Sequence, residues 1–141
     1  MIILDTSGLL SAIDGSQSHH RQAADALLRT SEPRLLSPFI LAELDYLLMT
    51  RVSATAARAL LREVGNGAYQ LEPFSAADIT RAEEILARYE DLGLGLTDAS
   101  LIVLAERHDT LDLLTLDERH FRAVVGPGGR PFRLLPADAL D

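Results

Sequence analysis

Residues 1–10 read MIILDTSGLL: four apolar side chains, then Asp5, Thr6, Ser7 and Gly8. An apolar run this short is too brief for a helix and lacks the alternation of a half-exposed strand, so Met1 to Leu4 predicts a strand buried on both faces. Asp5 then stands at the strand's carboxyl end. In an open α/β sheet that edge carries the ligand crevice, because the chain leaves the sheet there at the topological switch point. A second reading competes, since Asp, Thr and Ser all cap helices well and a helical stretch follows. The decapeptide leaves both open.

The remaining chain supplies the architecture around that strand. A short helix is expected over Gly8 to Ile13 and a longer one over Ser18 to Thr30, followed by a strand at Arg34 to Leu36. Pro38 suits the first turn of a helix running to about Thr50. Ser53 to Val64 reads as helix ended by Gly65, Asn66 and Gly67, and Tyr69 to Leu71 as a short strand. Ser75 caps a helix to Tyr89 with Asp78 in its first turn, and Gly93 and Gly95 form a loop before a helix over Thr97 to Arg107. Leu111 to Leu116 is the next strand, the loop GPGGR follows, and a last strand is expected near Phe132 to Leu135. Strands alternating with helices predict one α/β domain over residues 1–141, with a parallel sheet covered on both sides.

Composition excludes several chemistries. With 48% hydrophobic residues in 141, the chain can bury a real core. It has no cysteine, so disulfides and thiolate metal sites are absent, as suits a reducing compartment. The expectation is a soluble, cytoplasmic protein, because no apolar stretch approaches the ~20 residues of a membrane helix and the N-terminus lacks a basic leader. All 13 basic residues are arginines. That removes the Walker A lysine, Schiff-base chemistry and lysine general bases. The net charge of −8 is unfavourable for holding phosphates, so a nucleic-acid role needs metal ions, local arginines or a partner.

Acids occur where a core would prefer none. In PFILAELDYLLM, Glu43 has Phe39, Ile40, Tyr46 and Leu47 at helical neighbour spacings, and Asp45 has an equally apolar neighbourhood, so periodicity does not choose between them. In LTDASLIVLAERH, Asp98 shares a face with Leu101, Ile102 and Ala105, although a first-turn Asp is also ordinary helix chemistry. In LDLLTLDERHF, Asp117 follows a strand much as Asp5 does. Its competitor Asp112 lies five residues back, ~17 Å along a strand and toward the opposite edge. Thr6, Thr97 and Thr115 stand beside three of these acids and can orient carboxylates or a bound water.

The ordered set LDTSGLL with Asp5, the Pro-started helix with Glu43, TDASLIVLAERH with Asp98 and LLTLDERHF with Asp117 resembles the PIN domain family, most closely its VapC-type toxin ribonucleases. The intervals are 38, 55 and 19 residues (43 − 5, 98 − 43, 117 − 98), and the likeness runs from the first strand to RLLPAD. The resemblance implies a three-layer α/β/α fold with a central parallel sheet of about five strands. It also implies a carboxylate cluster of Asp5, Glu43, Asp98 and Asp117 holding Mg²⁺ or Mn²⁺ for hydrolysis of RNA phosphodiesters, which selects Glu43 over Asp45. Asp5 and Asp98 are expected as direct ligands, with Glu43 and Asp117 binding directly or through water. Further implications are a structured RNA substrate such as transfer or ribosomal RNA, a homodimer, and a VapB-type antitoxin through which any contact with DNA is made.

The chemistry is consistent with that reading. Two carboxylates ~4 Å apart at an effective dielectric near 20 repel by about 4 kcal/mol, so four need cations to stay ionised together. Oxygen ligands suit Mg²⁺ or Mn²⁺. The histidines carry less: His19 and His20 are adjacent and diverge on a helix, while His108 and His120 fall near helix ends where a cation complements the dipole. A haloacid-dehalogenase-type phosphatase needs a second Asp where Ser7 stands, and both it and a receiver domain need a lysine. The remaining alternatives are a non-catalytic PIN-like binding module and an RNA-processing nuclease without an antitoxin.

Overall fold

In the computed structural model residues 1–139 are described, so Leu140 and Asp141, the end of the expected domain, lie outside the described residues. The strands are β1 (Ile2–Leu4), β2 (Arg34–Leu36), β3 (Gln70–Leu71), β4 (Asp112–Leu114) and β5 (Arg133–Leu135). The α-helices are α1 (Thr6–Ile13), α2 (His20–Arg29), α3 (Pro38–Arg51), α4 (Ala54–Gly65), α5 (Ala76–Arg88), α6 (Leu96–His108) and α7 (Glu118–Phe121). All strand pairs are parallel, in the order β3-β2-β1-β4-β5. Ile2, Ile3 and Leu4 are fully buried. Successive strand residues face opposite sides, so helices must cover both faces of β1, which is the three-layer arrangement the apolar run implied.

The chain builds outward from β1 to β2 and β3, then returns to place β4 and β5 on the other side. The switch point therefore lies between β1 and β4, and a crevice opens beyond their carboxyl ends. Local signals fix the helices around it. Ser37 caps α3 with Pro38 in the first position, Ser53 caps α4, and Ser75 with Asp78 forms a capping box on α5. Among the described residues no helix is long and apolar enough to cross a membrane.

Three boundaries differ from the sequence expectation by two residues, and one burial pattern differs as well. Helix α1 starts at Thr6 and not at Gly8, because the Asp5 side chain accepts a hydrogen bond from the Thr6 N–H. Helix α2 starts at His20 and not at Ser18, since Asp14 binds the Ser16 and Gln17 side chains and the Ser16 backbone in a turn. Strand β4 stops at Leu114 and not at Leu116, and the residues beyond it turn into the short helix α7. Helix α3 buries only the stripe Ile40, Leu44 and Leu48, spaced by four, so Glu43 lies on its exposed side and does not interrupt a buried face.

Candidate active site

Leu4 is in register with Leu114, so the next pair outward is Asp5 and Thr115. Asp5 is only 6% exposed. Its Oδ1 accepts the Thr6 N–H at 2.8 Å, and its Oδ2 accepts the Thr115 hydroxyl at 2.6 Å and the Ser7 hydroxyl at 3.3 Å. Thr115 Oγ1 in turn accepts the Asp117 N–H at 2.9 Å. One hydroxyl therefore ties the acid after β1 to the backbone of the acid after β4. Burial pushes the Asp5 carboxyl up to about 6; the Thr115 and Thr6 bonds pull against this, while the charges of Asp98 and Asp117 add to it.

Asp98 and Asp117 reach the same place from other helix starts. Asp98 Oδ2 accepts the Gly95 N–H at 3.1 Å, as an acid in the first turn of α6 should. Its carboxyl is also raised, chiefly by burial, opposed by the Gly95 bond and the His120 charge and reinforced by Asp117 and Glu43. Asp117 caps α7, with Oδ1 accepting the His120 N–H at 3.0 Å and Oδ2 lying 2.8 Å from His120 Nδ1. A cleft of about 350 Å³ is lined by all four predicted acids, Asp5, Glu43, Asp98 and Asp117. Asp45 is not among its lining residues, and Asp112 lies at the start of β4 in an ion pair with Arg133.

The supporting threonines divide. Thr115 binds Asp5, and Thr6 lines the cleft with a buried hydroxyl that has no partner among the described residues. The hydrogen bond recorded for Thr97 is instead through its carbonyl, to the Ser100 hydroxyl at 2.6 Å. Three residues were missed. Ser7 accepts the Leu116 N–H at 3.0 Å and donates to Asp5, Arg51 in the last turn of α3 lines the cleft, and His120 clasps Asp117. The spacing of three between Asp117 and His120 was a readable signal; nothing in the sequence placed Arg51.

Hard oxygen donors of high charge, two of them destabilised as anions by burial, are the donor set a divalent cation needs. Thr6, which lines the cleft, adds a buried hydroxyl with no partner among the described residues, an unsatisfied polar atom beside the acids. The residues present therefore fit Mg²⁺ or Mn²⁺.

The sheet is parallel and five-stranded with acids gathered at its switch point, and the PIN domain family model matches residues 2–126. The chain belongs to the PIN domain family. Along 135 residues it is 40% identical to Ribonuclease VapC26 of Mycobacterium tuberculosis (strain ATCC 25618 / H37Rv), covering 96% of this chain and 100% of that protein. The crystal structure of Mycobacterium tuberculosis VapC20, a sarcin-ricin loop cleaving toxin, superposes with a TM-score of 0.78 at 20% identity over 84% of this chain and 92% of that one. VapBC2 from Rickettsia felis, bound to a DNA fragment from its promoter, superposes with a TM-score of 0.67 at 20% identity over 95% and 98%. At that identity these two speak for the fold.

Proposed function

We propose that this chain is a divalent-metal-dependent endoribonuclease, the VapC-type toxin of a toxin–antitoxin pair. The observation that carries the mechanism is the single cleft lined by Asp5, Glu43, Asp98 and Asp117, with Asp5 buried and held by Thr115. The likeness to Ribonuclease VapC26 along nearly the whole chain supports the activity. Asp5 and Asp98 would hold the cation directly, with Glu43, at the exposed side, and Asp117 contributing directly or through water. An ion bound there would supply an activated water and neutralise charge on the scissile phosphate. The protein's part is positioning. Thr115 and the Thr6 N–H fix both Asp5 oxygens, and Arg51 at the rim supplies a cation for a phosphate of the RNA backbone.

The partners follow from the same reading. A structural neighbour is a VapBC pair, and the corresponding partner here is a VapB-type antitoxin. An arginine or lysine on its tail, entering the acid cleft, would neutralise the cluster and displace metal, and the −8 charge of the chain favours a basic segment even before contact. The purified protein should cut structured RNA, transfer or ribosomal, with Mg²⁺ or Mn²⁺, stop with EDTA, and lose activity in Asp5→Asn and Asp98→Asn. Unchanged cleavage by those variants would overturn the nuclease assignment. Expression alone should arrest growth, relieved by the antitoxin; a harmless protein that still cuts RNA in vitro would be a processing nuclease without toxin function.

A further inference from the structure

A second hollow, of about 300 Å³, opens beside the acid cleft. Leu116 lines both, and Thr115, whose hydroxyl holds Asp5, lines the second. Asp117 in the cleft and Thr115 in the hollow are two residues apart, at most ~7 Å along the chain, so an RNA strand with a phosphate at the acids brings a neighbouring base to this opening. The Leu116 N–H is bound to the Ser7 hydroxyl at 3.0 Å, which fixes the partition between the two. The hollow lies at the low end of small-ligand sites, ~300–1,000 Å³, and has their usual make-up, apolar surface from Leu116 and Pro136 with a few polar groups. Those groups exclude a phosphate as its occupant. No arginine lines it, and the carboxylate of Glu118 does. Both Arg122 bonds to Glu118, from Nε at 2.9 Å and Nη2 at 2.7 Å, end on Oε1, so Oε2 keeps its acceptor capacity for an N–H. Gln22, exposed in the first turn of α2, adds an amide that donates and accepts. His19, also exposed, adds a flat ring; its Nδ1 lies 3.1 Å from the Ser18 hydroxyl, an edge contact that leaves the face of the ring for stacking.

An unstacked RNA base is held by an aromatic face and by hydrogen bonds to its edge, and this hollow offers both. We infer that it is a base subsite: one unpaired base next to the scissile phosphate enters it, stacks on His19 and is read at its edge by Glu118 and Gln22. The carboxylate selects a base that bears an exocyclic amine. Adenine, cytosine and guanine donate from that amine, whereas uracil flanks its single ring N–H with carbonyls that a carboxylate repels. This rests on the nuclease reading above and deepens it, by naming the residues that choose which bond is cut.

Sequencing the ends that the Mn²⁺-loaded full chain leaves on purified transfer and ribosomal RNA tests this. Wild type should show, at one position beside the cut, enrichment of a base that carries an exocyclic amine. Gln22→Ala should lower that enrichment at least roughly fivefold, the weight of one base-edge contact. Glu118→Gln should also admit uracil, because an amide donates to a carbonyl where the carboxylate only accepts. His19→Ala should raise KM roughly fivefold or more without changing which base is preferred. A merely structural role for Gln22 or Glu118 would slow cleavage and leave the preferred base as it was. Mn²⁺ affinity should be unaltered in Gln22→Ala and Glu118→Gln, since neither residue lines the acid cleft. Wild-type cuts with no preferred base at either flank, or a base preference identical in wild type, Gln22→Ala and Glu118→Gln, would overturn the inference and leave the nuclease reading standing. Gln22→Ala that keeps the base preference but loses affinity for the antitoxin would also overturn it and give the hollow to the protein partner. RNA left whole by wild type would overturn the nuclease reading itself, and the subsite with it.

Discussion

Asp5 is both a helix cap and a cluster acid, and the two roles are compatible because a carboxylate has two oxygens and about four acceptor sites. Oδ1 takes the first N–H of α1 while Oδ2 takes hydroxyls, leaving lone pairs for a cation. The same holds for Asp98 and Asp117, each bonded to a backbone N–H at a helix start. This is why residue-level reading could name the acids but not decide their roles from local pattern: the capping signature and the ligand signature are the same residues. Burial has a measurable consequence for Asp5. Its folded carboxyl titrates near 6 against an ordinary 3.8, so the folded state holds the proton more tightly. Without metal, stability is unaffected by this group below the ordinary value, falls as pH rises between the two, and is lowered by about 3 kcal/mol above the folded value. Thermal melts in EDTA should therefore show Asp5→Asn more stable than wild type at neutral pH, with the advantage vanishing toward about pH 4. Mn²⁺ should stabilise wild type and not the variant. A variant less stable at every pH would mean that the Thr115 and Thr6 bonds outweigh desolvation.

Between residue and fold, the element that aims Asp5 is α1, and Gly8 sets how closely it approaches the sheet. A Cβ there would collide with the Leu114 carbonyl and lie 2.8 Å from Thr115 N, both backbone atoms at the end of β4. Overpacking of this kind costs about 1–3 kcal/mol. Gly8→Ala should lower the melting temperature and weaken Mn²⁺ binding together, because displacing α1 moves Asp5 off Thr115. Gly15→Ala, which meets open space, is the control and should change neither. Unaltered metal affinity in Gly8→Ala would show that α1 does not position the site. Elements also mark where sequence pattern stopped. Strands of two or three residues carry too few side chains to define their ends, so β4 read three residues too long, one at its start and two at its end, and the four-residue α7 beyond it went unassigned. Once the strand ends at Leu114, the residue level with Asp5 is Thr115, and Asp117 lies beyond as a cap. Capped helices such as α5, where Ser75 and Asp78 both act through backbone bonds, were placed to within a residue.

For the whole molecule, the fold class was legible because buried strands and amphipathic helices have different periods, but the strand order was not. Every strand is similarly apolar, and only packing decides that β1 sits between β2 and β4. Periodicity also failed on α3, which is apolar nearly all round, and the reason lies in its exposed side. Tyr46 and Met49 of α3 and Val52, the residue that ends it, follow one another at spacings of three and are 66%, 58% and 48% exposed, although α4 packs against this helix; Leu61 of α4 is 45% exposed as well. A large apolar side chain left in water on one helix is unremarkable; a row of three beside a fourth marks a contact surface. We propose that this row is the interface of a homodimer, which would set the arginines of two chains beside two acid clefts and offset part of each chain's −8 charge where RNA must approach. A specific interface of standard size removes about 800 Å² per partner from water, more than these side chains supply alone, so the contact must extend along α3 toward its partly buried Leu41 and Leu47. Sedimentation at micromolar concentration should then give twice the 15.4 kDa of one chain. Tyr46→Glu with Met49→Glu should give a monomer of unchanged circular dichroism, since neither side chain belongs to the buried stripe Ile40, Leu44 and Leu48. The metal sites, built within one chain, should persist in that monomer with unaltered Mn²⁺ affinity, while RNA binding weakens because the two basic surfaces no longer act together. Wild type that sediments only as a single chain would remove the interface and leave the row on α3 to another partner.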